Sequence, residues 1–306
     1  MHRRETFRPI ASVKRWLPNP IGMVERALEF AYFGQPLHTL LRTGITPRTS
    51  DDNSELETYS NICLDTTSGI FRTPNDQVIA PYYRDRQFMS GSLWKNIKRT
   101  SQKPHQIVGD YTFFVPEQVY YFHFVIQWMP KLLQISRYFP DVHILIGPNP
   151  SFVSEYLDLY SIHFEQTKES ILGISKLAVG EWRFTNHEIV QMLQLSDVKK
   201  LEAAPTKVFI SRNGYARHNI SLEQQILEGL DDDVIVLDPG QFPVKTQIDL
   251  FKNVREVHGI HGGGLTNMVF MPRGSSLYEY FTSPYRDYCY RDLAKACEIS
   301  YHEIAL

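Results

Sequence analysis

The chemistry in this sequence is densest between Arg255 and Phe281, REVHGIHGGGLTNMVFMPRGSSLYEYF. An apolar run ends at Ile260, and His261 with Gly262, Gly263 and Gly264 then leads into a helix-forming stretch. Glycines at such a turn let the backbone pass close to a ligand, and the unpaired N–H groups of a helix start, with its dipole, suit a phosphate. A tight strand-to-helix turn with no ligand would use the same glycines, so the turn by itself leaves both readings open. A second stretch, KVFISRNGYARHN, puts Lys207, Arg212, Arg217 and His218 where no acidic residue intervenes between Glu202 and Glu223. With KVFIS as a strand of the same sheet, Arg212 and Arg217 enter the loop at the edge where the glycine turn lies, and forked guanidinium groups fit a diphosphate. Alone, this is a solvated basic loop; combined with the glycine turn, it reads as a diphosphate site.

Other chemistries fail on inspection. HGGG resembles an oxyanion loop, but the GxSxG nucleophile elbow that such a loop serves is absent, and so is the dinucleotide fingerprint GxGxxG. Cys63, Cys289 and Cys297 make no CxxC or zinc spacing and read as ordinary thiols. Asp231-Asp232-Asp233 invites comparison with a metal-binding acidic motif, but it precedes a strand and so belongs to the sheet edge opposite the glycine turn. Arginines and helix amides can carry a diphosphate without a cation, so no bound metal and no bound cofactor are expected. With 32 Lys+Arg against 34 Asp+Glu, the net charge of −2 gives no basic excess for nucleic acid. The basic start, MHRRETFRPIASVKRW, is followed by no apolar run of signal-peptide length, and no transmembrane-length apolar run occurs, which makes a cytoplasmic location the expectation.

The positioning elements follow from periodicity. The first hundred residues offer short strands, polar loops and one helix around MVERALEFAYF. From Gln106, QIVGDYTFFV reads as a strand, EQVYYFHFVIQWMPKLLQIS as an aromatic-rich helix interrupted near Pro130, and HILIG as a buried strand. After Pro205 the alternation is cleaner. KVFIS, DVIVLD, REVHGI and SSLYEYF read as strands, with SLEQQILEGL, VKTQIDLFKN and GGGLTNMVFM as the intervening helices, and YRDLAKACEI as a final one. Such alternation implies a parallel sheet with right-handed crossovers. The expected division is an N-terminal α/β domain, 1–198, and a C-terminal α/β domain, 199–306, with the last helix able to pack back on the first.

Taken in order, YYFHFVIQWMPKLLQI, SRNGYAR, VIVLD, TQIDLF and HGGGLTNMVFMPRGSSLYEYF resemble the catalytic domain of glycosyltransferase family 61, over about residues 106–282. Relatives transfer GlcNAc to proteins, xylose or arabinose to plant xylans, and sugars in bacterial capsule synthesis. The sequence departs from the family pattern at Tyr121, where a small polar residue usually precedes Phe-His, and at Gly263, more often alanine. The resemblance implies a GT-B architecture, two Rossmann-like halves facing across a cleft. It also implies an inverting transfer from a nucleotide-sugar donor, UDP-linked by expectation, to a glycan or protein-linked acceptor. The alternative is a catalytically silent nucleotide- or sugar-binding protein of the same fold.

Carried onto this chain, the resemblance gives Arg212 and Arg217 to the diphosphate and the amides of His261, Gly262, Gly263 and Gly264 to the same group. Glu279 takes the place of an acidic residue that meets the donor ribose, or is a strand glutamate facing solvent. Thr266 and Asn267 contact the donor or cap the glycine helix. His123 becomes the candidate base for the acceptor hydroxyl, against its reading as a core histidine among aromatics, and Asp110 is the competing base or a turn cap.

Overall fold

The computed structural model describes residues 55–67, 69, 71–75, 78–79, 107–108, 111–116, 120–181, 184–195, 204–212, 215, 220–282 and 286–306. The helix expected at residues 23–33 lies outside them. The chain forms two compact units. One takes residues up to Gln118 with Asp141–Pro148 and Phe164–Gly180; the other takes Val119–Pro140, Asn149–His163 and everything from Glu181 on.

The first unit is an eight-stranded sheet. Its strands are β1 (Glu55–Asp65), β2 (Phe71–Arg72), β3 (Val78–Ile79), β4 (Ile107–Val108), β5 (Thr112–Val115), β6 (His143–Ile146), β7 (Glu165–Gln166) and β8 (Ile171–Glu181). They are ordered β3-β2-β1-β8-β5-β6-β7, with β4 also paired to β8. The strand expected over QIVGDYTFFV is thus divided. Ile107 faces Gly173 but Thr112 faces Leu177, so the register against β8 slips by one residue, next to Tyr111 at φ 47°. Ile62, Leu64, Phe71, Phe114, Leu145, Leu172, Ile174, Leu177 and Val179 form its core.

The second unit is built on five strands, β9 (Lys207–Ile210), β10 (Ile235–Leu237), β11 (Glu256–Ile260), β12 (Ser276–Phe281) and β13 (Ser300–Ala305), in the order β10-β9-β11-β12-β13. Every neighbouring pair is parallel. The first four are the strands read from sequence; β13 was not anticipated. Numbered within the sheet the order is 2-1-3-4-5, a doubly wound arrangement whose direction of winding reverses between β9 and β11. The inner strands are apolar because parallel strands are covered on both faces: Val208, Phe209, Val257, Ile260 and Leu277 are all buried.

Two helical segments from the middle of the chain pack with this second sheet, so a single cut at residue 198 does not describe the interleaving. One runs as a short turn, Tyr121–His123, a π-helical stretch, Phe124–Trp128, and an α-helix, Met129–Tyr138. Pro130 was expected to interrupt this helix; instead it falls in the first turn of the α-helical part, after the widened π turn that relieves the ladder bond a proline cannot make. The other is Ser151–Leu159, where Glu155 accepts a hydrogen bond (2.7 Å) from the backbone N–H of Val244 at the start of helix Val244–Phe251.

Candidate active site at the carboxyl edge of the five-stranded sheet

The turn after β11 is where the glycines fall, and the segment that follows, Gly263–Phe270, is a 3₁₀ helix rather than the α-helix expected. It is buried on every side from Leu265 to Phe270, so it has no solvent face of α-helical period to favour the wider winding. Each glycine meets a different neighbour. The Arg212 guanidinium lies against Gly262, where an added Cβ would stand 3.2 Å from Cζ, and its Nη1 donates to the His261 carbonyl at 2.8 Å. At Gly263 an added Cβ would meet the Tyr121 Cβ at 3.7 Å, so the start of the aromatic helix stands on the turn with room for a methyl group. At Gly264 it would come within 2.9 Å of Ile210 Cγ2, a branched methyl on a buried strand that cannot swing away. Gly264→Ala is therefore expected to cost about 1–3 kcal/mol of stability, the range for overpacking, and Gly263→Ala no more than about 0.5 kcal/mol, as urea unfolding would measure. The tolerance at 263 agrees with the alanine noted there in the family pattern.

Arg212 is fixed at its other end too. Buried Glu223, on helix Ile220–Leu227, accepts from the Ser211 hydroxyl (2.6 Å) and the Arg212 backbone N–H (3.1 Å), clamping the exit of β9. Arg212 and the glycine turn therefore meet at the carboxyl ends of β9 and β11, the point where the winding reverses and where open α/β sheets hold their ligands. Arg217 and Asp110 lie outside the described residues.

The remaining residues singled out from sequence divide by exposure. Thr266 is fully buried, 3.5 Å from the Tyr290 hydroxyl, and Asn267 is 1% exposed. Asn267 Oδ1 accepts from the Tyr121 hydroxyl at 2.7 Å and its Nδ2 donates to Gln247 at 3.1 Å, while the Tyr156 hydroxyl lies 2.8 Å from that of Tyr121. Burial raises the pKa of Tyr121 and keeps it a donor in this cluster. The unusual tyrosine at 121 thus fills a buried polar cluster that ties the aromatic helix to the 3₁₀ segment, and neither Thr266 nor Asn267 offers its side chain to the edge. Glu279 has no exposed side-chain surface: Oε1 lies 2.5 Å from His261 Nδ1 and Oε2 accepts from the Tyr301 hydroxyl at 2.8 Å. The solvent-facing reading of Glu279 does not match a carboxylate so enclosed.

His123 follows Phe122 at the opening of the aromatic helix, its Nδ1 donating to Gln127 Oε1 at 2.8 Å. The Phe122 ring stands edge-on to Tyr290, 5.3 Å between centroids, and the Tyr290 hydroxyl donates to the Gly262 carbonyl at 2.7 Å. Sequence reasoning missed Glu223, Tyr290 and Tyr301 as parts of the site; a buried glutamate among the polar residues of SLEQQILEGL leaves no local mark.

His261, Asp287 and Cys289 bring three potential ligand atoms within 4.8 Å of one another. Asp287 Oδ1 accepts from the Cys289 backbone N–H (3.1 Å), and burial, then the Asp287 and Glu279 charges, push the Cys289 thiol well up. Asp287 and Cys289 stand on either side of Tyr288, the N-cap of helix Cys289–Ala296. Asp231 and Asp233 both bridge Lys207 Nζ at 3.1 Å, at the amino end of β9 and so opposite the glycine turn. No helix among the described residues is long and apolar enough to cross a membrane.

The family model for glycosyltransferase 61 matches residues 121–278, from the first residue of the aromatic helix to the middle of β12 and just over half of the chain. The chain belongs to the glycosyltransferase 61 family. No curated protein matches it. Membership makes the chain a glycosyltransferase, with a sugar donor and a glycan acceptor, and the matched span includes the glycine turn, Arg212 and His123.

Proposed function

We propose that this glycosyltransferase moves a sugar with inversion from a UDP-linked donor to a glycan or protein-linked acceptor, and that the nucleotide sits at the carboxyl edge of the five-stranded sheet. The observation that carries the reading is Arg212, hydrogen-bonded to the glycine turn (2.8 Å) where the winding of a doubly wound sheet reverses. In this reading Arg212 and Arg217 hold the diphosphate, and the amides of Gly262 to Gly264 complete its cradle. Thr266 and Asn267 brace the turn from beneath. His123 takes the proton of the acceptor hydroxyl, with Asp110 as the competing base. A GT-B-like use of the two α/β units, and transfer without a divalent cation, belong to the same proposal.

A panel of nucleoside diphosphates and nucleotide sugars tests it by thermal shift, since a ligand that binds the native state raises the melting temperature. UDP and one or more UDP-sugars are expected to raise it, and the matching donor to be hydrolysed slowly without acceptor, equally with and without EDTA. Stabilisation with no hydrolysis or transfer would point to the silent binding protein. Loss of turnover in EDTA would remove the metal-free mechanism.

A further inference from the structure

Tyr215 lies in the loop that leaves β9, at the same sheet edge as Arg212, and its backbone N–H donates to the Arg212 carbonyl at 3.1 Å. Its hydroxyl crosses to the end of the neighbouring strand β10 and donates to Asp238 Oδ1 at 3.1 Å. The two strands stay paired up to this point, with the Ser211 N–H donating to the Leu237 carbonyl at 2.9 Å. Asp238 is itself fixed. Its Oδ1 also accepts from the Gly240 N–H (3.0 Å) and its Oδ2 from Gln241 Nε2 (3.1 Å), which caps the turn Pro239–Gln241. The hydroxyl end of the tyrosine rests on Gly240, where an added Cβ would stand 3.4 Å from Tyr215 Cζ and overlap the hydroxyl oxygen. With hydroxyl and N–H both engaged, 47% of the residue is still exposed. A ring anchored in this way is held before any ligand arrives, and little conformational entropy is lost when a flat group stacks on it.

We propose that Tyr215 is the platform on which the nucleobase of the donor stacks, while the diphosphate lies at Arg212 and the glycine turn. This deepens the nucleotide-sugar reading above and rests on it. The strand order separates the two ends of such a ligand. Arg212 reaches Gly262 after β11, whereas Tyr215 reaches Asp238 and Gly240 after β10, on the other side of β9. The ends of β10 and β11 are two strand spacings apart, about 10 Å, a gap that the ribose of a nucleotide bridges between its phosphates and its base. Arg212 and Tyr215, three residues apart in sequence, thus serve opposite ends of one ligand. Every nucleobase has a π face, so the platform supplies affinity, and the choice among bases falls to groups at the base edge.

The test titrates UDP into the full chain and its variants at a temperature below their unfolding transitions. Tyr215→Leu keeps apolar bulk but removes the π face, and is expected to weaken UDP binding at least about 10-fold, within the range for base–aromatic stacking. Tyr215→Phe keeps the face and loses the bond to Asp238, and is expected to stay within about 3-fold of wild type, the effect of one hydrogen bond. A tyrosine that served only to tie the loop to Asp238 predicts equal losses in the two variants. Gly240→Ala approaches the same ring from below: its Cβ displaces the Tyr215 hydroxyl while the tyrosine remains, and UDP binding is expected to weaken several-fold. Wild-type affinity in Tyr215→Leu, or a loss in Tyr215→Phe equal to that in Tyr215→Leu, overturns the inference and leaves the nucleotide-sugar reading intact. If Tyr215→Leu does not fold, Gly240→Ala decides, and wild-type affinity there overturns the inference. A wild-type chain that binds no UDP overturns both.

Discussion

His123→Ala is expected to cut kcat at least about 100-fold, the lower end of what a general base contributes, with donor affinity nearly unchanged. Gln127 Oε1 accepts from His123 Nδ1 at 2.8 Å, which fixes the orientation of the ring at the helix start. The helix start that carries His123 stands on the glycine turn: an added Cβ at Gly263 would lie 3.9 Å from the Phe122 backbone nitrogen. A base so placed acts on the acceptor proton in the transition state and contributes little to holding the nucleotide, which separates kcat from donor binding. A purely structural histidine predicts otherwise. Loss of a hydrogen-bonded ring would lower the melting temperature, and activity would fall only with the folded fraction. Melting temperature, UDP affinity and kcat measured on the one variant distinguish the two. A destabilised protein whose folded fraction keeps full turnover would make His123 structural and move the search for the base to Asp110.

Arg212→Ala is expected to weaken UDP and UDP-sugar binding by about 1.5–3 kcal/mol, or about 10- to 150-fold in Kd, the range for hydrogen bonds to a charged group. Arg212→Lys should recover only part of this, because an ammonium is a point charge and cannot fork across two phosphate oxygens. The arginine also ties β9 to the turn through Nη1 and the His261 carbonyl (2.8 Å), so the alanine variant should lose about 1 kcal/mol of stability as well. Titration calorimetry with UDP at a temperature well below the transition keeps the two effects apart. Unchanged affinity in a folded Arg212→Ala protein would remove the residue from the site and, with it, the observation on which the proposed function stands.

Much of the site's framework was legible because it is written in short-range patterns. Apolar runs bounded by turns marked β9 to β12, their alternation with helices required parallel pairing, and His261-Gly262-Gly263-Gly264 marked a close backbone approach after β11. The order and spacing of those motifs likewise pointed to the family that the chain belongs to. What sequence could not convey were contacts between elements far apart along the chain. Arg212 could be placed after β9, but that its guanidinium rests on Gly262 depends on β9 and β11 being neighbours where the winding reverses. The helix at Tyr121–Tyr138 was recognised as aromatic, yet its packing with the C-terminal sheet depends on the buried hydrogen bonds of Tyr121 to Asn267 and Tyr156, partners 146 and 35 residues away. Glu279 showed most plainly the difference between the two kinds of information. The family resemblance suggested a ligand for it, and the same strand register that aligns Gly259 with Glu279 and Leu277 with Tyr301 encloses its carboxylate between His261 and Tyr301. Local sequence determines which residues a strand carries and which alternate faces they take. Which charged group is buried, and against what, is decided only when the strands pair, because desolvation and its compensation depend on the neighbours that pairing brings.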